Sequence, residues 1–292
     1  MEIIIADYSG FCGGVRRSVD LANKAIEENE ISYSVGPLIH NPQLVSKLEG
    51  EGLKVFSKEE AEGIKNSTVL IRAHGESAKF KDKLIENGNE LLDATCPVLM
   101  NIYKKIVEKE KEGYKVVIVG DKTHPEIIAM ESFLNDGIII SDETEAKNIK
   151  GNGKLYVVSQ TTNRLDYFYD IANKLKDNND SVVIENTICK ATENRQQAAK
   201  SLAKEVDCMI VAGGFNSSNT NKLYQVAGMY CKNVFRIETV KDLPLQKLSK
   251  FKKVGIIAGA STPDEIIEEV VSSMDEFTKE EFMNSLEDSL KK

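Results

Sequence analysis

Three cysteines stand out for their setting: Cys12 in "YSGFCGGVRR", Cys96 in "DATCPV" and Cys189 in "NTICKA". Each closes a short apolar run and precedes a long amphipathic stretch. Thiolates bind soft metals and iron–sulfur clusters, and glycine beside Cys12 lets backbone approach a bulky inorganic group and offer it N–H donors. Three ligands instead of four would leave one iron open, as catalytic zinc sites keep one position open. No CxxC run is present, so spacing alone also admits three unrelated buried thiols, or a zinc ion held by three cysteines and a histidine. Cys208 in "VDCMIVAGG" and Cys231 in "VAGMYCKNV" lie in apolar or helical contexts and read as small buried hydrophobes. Five cysteines are an odd number, which argues against a disulfide framework.

All three histidines of the chain fall in similar polar connections: His40 in "IHNP", His74 in "RAHG" and His124 in "THPE". One loop histidine is usually a local hydrogen-bonding residue, whereas three out of three suggest a shared task. Imidazoles can hold phosphate oxygens or a hydroxyl and change charge near neutral pH. Glu126 has two readings. As the second residue of a helix opened by Pro125, it complements the helix dipole; as a neighbour of His124, it could donate a proton to substrate. Taken alone, the helix-dipole reading is the simpler. In "GGFNSSNTN", Ser217, Ser218 and Asn219 follow two glycines and precede a helical pattern, which suits either an anion site or an over-furnished N-cap. Thr161 in "SQTTN" and Ser261 in "GASTPD" repeat that ambiguity. No Walker lysine motif and no clean GxGxxG occur, so nucleotide binding is disfavoured.

What places these residues is a repeated grammar: a β-branched run, a Gly-rich or polar turn, then an amphipathic helix. Strands are expected over 2–6, 32–36, 68–72, 91–92, 115–119, 155–159, 182–185, 207–212 and 254–258. Helices are expected over 15–28, from 42, through 87, and through 112. Alternation with short connections predicts an α/β fold with mainly parallel sheets. In such folds, loops at the carboxyl ends of strands face the ligand crevice, and every candidate residue lies in one. The loop cysteines are 84 and 93 residues apart, which suggests three α/β units of similar size, one cysteine each. Three units around a pseudo-threefold axis would bring those cysteines to one point. The expected division is 14–96, 97–190, and 1–13 with 191–277. From about Met274, and over 278–292, an acidic-basic helical tail is expected outside the core.

A length of 292 residues with 41% hydrophobic content can bury one large or several small cores. The net charge of −8 and the lack of long basic runs argue against nucleic-acid or membrane-surface binding. Apolar runs are strand-sized, and the N-terminus lacks the basic and apolar regions of a signal peptide, so a cytoplasmic location is expected.

Taken in order, "GFCGGVRR", "GPLIHN", "RAHG", "DATCP", "GDKTHPE", "SQTT", "NTICKATENRQ", "FNSSNTN" and "GASTPD" resemble the 4-hydroxy-3-methylbut-2-enyl diphosphate reductase (IspH or LytB) family over residues 1 to about 275. That resemblance implies a three-domain α/β trefoil around one [4Fe–4S] cluster held by Cys12, Cys96 and Cys189, with one iron open to substrate. It implies a diphosphate-binding set of His40, His74, Ser217, Ser218, Asn219 and Ser261. His124, Thr161 and Glu126 would surround the substrate's hydroxyl, with Glu126 the proton donor. The implied reaction is a two-electron reductive dehydroxylation giving isopentenyl and dimethylallyl diphosphate, the last step of the methylerythritol phosphate route to isoprenoids. Electrons would come from ferredoxin or flavodoxin.

Two departures qualify the resemblance. Phe215 stands where a lysine is expected before "NSSN", leaving the anion site little fixed positive charge, so His40 and His74 would have to carry charge when diphosphate binds. The tail resembles a connector that in some relatives leads to RNA-binding S1 repeats. Competing readings are a non-redox iron–sulfur dehydratase acting on a small phosphorylated alcohol, a zinc-dependent phosphohydrolase, and a non-catalytic phosphate-ligand binding protein.

Overall fold

The computed structural model describes residues 1–28 and 32–290, the side chains of 152 and 281–290 excepted. Residues 1–12 and 191–292 form one compact unit, and residues 13–190 form another. In chain order, β1 (Glu2–Ile5) belongs to the first unit. The second then runs through α1 (Gly13–Glu28), β2 (Ser32–Val35), α2 (Pro42–Gly50), β3 (Leu53–Phe56), α3 (Lys58–Ala61), β4 (Thr68–Ile71), α4 (Ala78–Glu86) and β5 (Glu90–Asp93). It continues with α5 (Pro97–Lys111), β6 (Lys115–Val119), α6 (Pro125–Glu131), β7 (Ile138–Ile140), α7 (Glu143–Asn148), β8 (Gly151–Ser159), α8 (Leu165–Asn178) and β9 (Asn179–Ile184). The first unit resumes along α9 (Lys190–Ala203), β10 (Cys208–Ala212), α10 (Ser218–Tyr230), β11 (Val234–Ile237), α11 (Leu245–Leu248), β12 (Lys253–Ala258) and α12 (Asp264–Leu290).

The strands build three four-stranded sheets, ordered β3-β2-β4-β5, β7-β6-β8-β9 and β11-β10-β12-β1, with every described pairing parallel. The three orders are one pattern: the first strand lies inside, the second goes to one edge, and the third and fourth cross to the other side. In the last sheet, the N-terminal β1 fills the slot that β5 and β9 fill in the others.

Side-chain alternation explains why these runs are strands buried on both faces. Along β10, Cys208, Ile210 and Ala212 pack with α12 residues, while Met209 and Val211 pack with Leu202, Leu223 and Val226. Along β6, Val116 and Ile118 face Leu99, Ile102 and Ile127, while Val117 and Val119 face Phe168, Ile171 and Leu175. Helices on both faces of a parallel sheet are what such continuous apolar runs require.

The expected α/β fold with parallel sheets is observed. The tail corrects the sequence reading. Met274 is fully buried with Val270 and Ile267, so the chain has not left the core there. A single helix, α12, runs from Asp264 to Leu290 without a break. Lys291 and Lys292 lie outside the described residues. No described helix is long and apolar enough to cross a membrane.

Candidate active site

The strand order puts the chemistry at defined places. Ligands in open α/β sheets bind beyond the carboxyl ends of strands, where the winding direction reverses. In the sheet β3-β2-β4-β5 that reversal lies between β2 and β4, whose following loops carry His40 and His74. In β7-β6-β8-β9 it lies between β6 and β8, whose loops carry His124, Glu126 and Thr161. In β11-β10-β12-β1 it lies between β10 and β12, whose loops carry Ser217, Ser218, Asn219 and Ser261. The three loop cysteines instead follow the outer strands β5, β9 and β1.

Within residues 13–190, the three histidines come together. Ring centroids lie 4.8 Å apart for His40 and His74, 5.4 Å for His74 and His124, and 5.9 Å for His40 and His124. Each is set by its own turn. His40 directly precedes Asn41, whose carboxamide oxygen accepts from Leu44 N–H at 2.8 Å and caps α2. His74 is held by its carbonyl, which accepts from the Tyr103 hydroxyl at 2.9 Å. Next to it, Gly75 has φ +80° and a Cβ there would come within 2.5 Å of that hydroxyl. Gly75→Ala is therefore expected to destabilise the protein by about 1–3 kcal/mol in urea unfolding, since strain and a clash with Tyr103 add.

His124 caps α6, its Nδ1 accepting from Glu126 N–H at 3.2 Å. An accepting Nδ1 puts the proton of the neutral ring on Nε2. Burial, then the neighbouring His40, hold its pKa down to about 4. Burial also lowers His40 and, more strongly, His74, with Arg72 contributing in both. Burial and Arg72 thus hold all three imidazoles toward the neutral form in the absence of a bound anion.

Glu126 is not a solvent-facing first-turn carboxylate. It is 2% exposed, with Oε1 accepting from Thr161 N–H at 2.7 Å and Oε2 from Thr161 Oγ at 2.8 Å. Burial raises its pKa to about 7, against the lowering effect of those two bonds. A carboxyl poised near neutral pH suits a proton donor. Thr161→Val removes one of the two bonds and keeps the amide. The Glu126 titration is expected to move above about 7, read as an upward shift of the alkaline limb of kcat/KM.

The cysteines of this unit connect to the same loops. The Thr161 carbonyl accepts from Cys189 N–H at 3.1 Å, and the Ala73 carbonyl accepts from Cys96 N–H at 3.0 Å. The Cys96 loop is further braced by Arg17 of α1, which donates to the carbonyls of Thr95 and Asp93 at 3.3 and 3.1 Å. Lys81 pairs with Asp93 at 2.7 Å, and that carboxylate accepts from Thr95 N–H at 2.9 Å.

Residues 1–12 and 191–292 carry candidate residues of their own. Cys12 N–H donates to the Ala260 carbonyl at 3.2 Å, and Arg195 donates to the Gly10 carbonyl at 2.7 Å, fixing the cysteine loop. Ser217 is the N-cap of α10, accepting from Thr220 N–H at 3.3 Å, so capping accounts for it. Asn219 is different: it is 5% exposed, and neither carboxamide atom has a hydrogen-bond partner among the described residues. Buried amides are rarely left so, and this one has the capacity of a ligand-binding group. Ser261 is buried in the loop after β12, and Ser218 is half-buried in the first turn of α10. Phe215, in place of the expected lysine, has the Arg236 guanidinium stacked 4.7 Å from its ring centroid, so a cation reaches this loop from β11.

The donor set fits an iron–sulfur cluster. Cys12, Cys96 and Cys189 are half-buried and in no disulfide, and each is the residue immediately before a helix. Cys208 and Cys231 are free and buried, and burial pushes the Cys208 thiol up to about 12, the inert reading expected for both.

Arg72, Tyr103, Arg17 and Arg195 were not singled out in the sequence. Arg72 lies inside "RAHG" and was within reach, whereas Tyr103 sits mid-helix in α5 with no local signal.

Fold and site define an α/β protein that gathers a buried acid and neutral imidazoles on loops at sheet switch points. A profile of the LytB protein family matches residues 3–275, and the chain belongs to that family. It is 41% identical over 278 residues to the 4-hydroxy-3-methylbut-2-enyl diphosphate reductase of Caldanaerobacter subterraneus subsp. tengcongensis, covering 94% of this chain and 96% of that one. A solved structure of (E)-4-hydroxy-3-methyl-but-2-enyl diphosphate reductase, described as the terminal enzyme of the non-mevalonate pathway, is 38% identical with a TM-score of 0.69. It covers 94% of this chain and 100% of that chain. The E-1-hydroxy-2-methyl-but-2-enyl-4-diphosphate reductase of Plasmodium falciparum gives a TM-score of 0.87 at 26% identity, over 93% of this chain and 87% of that one.

Proposed function

We propose that this chain reduces (E)-4-hydroxy-3-methylbut-2-enyl diphosphate to isopentenyl and dimethylallyl diphosphate. The balance is one allylic alcohol, two electrons and two protons in, and one alkene diphosphate and one water out. The observation that carries the reading is the buried Glu126–Thr161 pair beside the three-histidine cluster, in a chain of this family. Hydroxide is a poor leaving group, and a carboxyl with a pKa of about 7 can protonate it as the carbon–oxygen bond breaks. Thr161 holds Glu126 through both oxygens and so fixes the direction of the proton. His40, His74 and His124 present imidazole groups to the diphosphate and hydroxyl ends, and the unsatisfied Asn219 with Ser217, Ser218 and Ser261 completes the diphosphate set.

Cys12, Cys96 and Cys189 would hold one [4Fe–4S] cluster with one iron left open to substrate, and the bound cluster supplies the electrons and Lewis acidity. Ferredoxin or flavodoxin is the donor in this reading, the location is cytoplasmic, and no nucleic acid is involved. The division into domains 14–96, 97–190, and 1–13 with 191–277 belongs to the same proposal, and the strand order common to the three sheets supports it.

Anaerobic purification is expected to give a brown protein with about four iron and four sulfide per chain. With reduced methyl viologen, it should convert the hydroxylated diphosphate to the two products. A colourless or zinc-loaded protein defeats the proposal, and water loss without reductant points to the dehydratase.

A further inference from the structure

We propose that Arg72 supplies fixed positive charge beside the histidine cluster and thereby sets the affinity of the site for the diphosphate end of its substrate. The inference rests on the function proposed above. A diphosphate monoester carries more than one negative charge at neutral pH, and neutral imidazoles give it hydrogen bonds but no net charge.

The geometry around Arg72 leaves its charge available. It stands two residues before His74, at the end of β4, and its side chain is only 17% exposed. Its Nη1 lies against Gly36, four residues before His40, where a Cβ would come within 2.8 Å. Any other residue at Gly36, which has φ +72°, would push the guanidinium away, so the two histidine loops are built to admit it. Its Nε is buried with no hydrogen-bond partner among the described residues.

Among the described residues, Glu76 is the one carboxylate paired with it, and that pairing is shared. Lys58 of α3 approaches Glu76 at 2.6 Å, while Arg72 lies 3.4 Å from the other oxygen. Lys58 and Arg72 thus share Glu76, and the three groups together carry one net positive charge. The same charge is felt at all three imidazoles, each of which it disfavours as a cation. A preformed cation in a low-dielectric pocket costs no reorganisation when an anion arrives. Arg72 acts here as an electrostatic positioning residue, with the histidines making the contacts.

The test uses the cluster-loaded enzyme, with substrate KM and the Ki of inorganic pyrophosphate as readouts. Arg72→Met is expected to raise KM and the pyrophosphate Ki in parallel, by about 5- to 30-fold, with a smaller change in kcat. Arg72→Lys should recover much of the loss. Lys58→Met unmasks Glu76 and should weaken both constants in the same direction, whereas Glu76→Gln should tighten both, which damage to the fold would not produce. Unchanged KM and Ki in Arg72→Met with full iron content, or weaker pyrophosphate binding in Glu76→Gln, overturns the inference. If Arg72→Met fails to fold, the opposite signs of the Lys58 and Glu76 variants decide. If the unmodified enzyme binds pyrophosphate but does not turn over the substrate, the functional reading fails and the charge assignment is still judged by the same Ki series.

Discussion

Glu126→Gln is expected to lower kcat by about 10²–10⁴-fold while substrate affinity changes little, the size typical of a lost general acid. Glutamine is nearly isosteric, can accept from Thr161 N–H and can donate to its hydroxyl, so the loop should keep its shape. What it cannot do is release a proton. The pH behaviour separates this from a packing defect. Burial raises Glu126 from 4.5 to about 7, so its acid form is lost as pH rises through about 7, and kcat/KM of the unmodified enzyme should fall on that side. The same shift has a stability sign. The folded state holds a proton that the unfolded state releases first, so the stabilisation is complete below about 4.5 and lost as pH rises through about 7. Its size is on the order of 3 kcal/mol from such a shift, and Glu126→Gln should flatten that part of the urea-stability profile. A variant with normal turnover would return Glu126 to a helix-dipole role.

The second large effect concerns the thiols. Cys12→Ser, Cys96→Ser and Cys189→Ser should each lose iron, colour and turnover together. Cys208→Ser and Cys231→Ala should keep all three and show only a cost of about 1–3 kcal/mol from changes in buried packing. The contrast follows from position. The first three thiols are half-buried at helix N-termini, whereas Cys208 and Cys231 are inside apolar clusters on opposite faces of one sheet. Iron content measured on all five variants settles the assignment, and a Cys208→Ser protein without iron would reverse it.

The strands that carry site loops were legible in the sequence because each is an apolar run ending in a Gly-rich or polar turn. Those missed, β3 (LKVF), β7 (III) and β11 (VFRI), are short edge strands whose following loops carry no unusual residue. Alternation over three or four residues is too brief to register. The loop positions of Glu126 and Thr161 were legible, but not their contact. Thirty-five residues separate them, and only the pairing of β6 with β8 brings their loops together. Burial of Glu126 was equally invisible, since a glutamate after proline at a helix start normally faces water. The earlier bound of the tail, Met274, was set too early because the charged run that follows it masked its place on the apolar stripe of Ile266, Ile267 and Val270.

The placement of β1 has a consequence for biosynthesis. Its only partner is β12, with Glu2 set against Lys253, a separation of 251 residues. β1 must therefore wait for its partner until residues 253–258 have been made, while the sheets of β2–β5 and β6–β9 can form from contiguous sequence. Cys12 follows that waiting strand, and contacts of its loop with Ala258, Ala260 and Arg195 come from residues made much later. On the ligand assignment above, the Cys12 ligand is set in place only after residue 260 has been made.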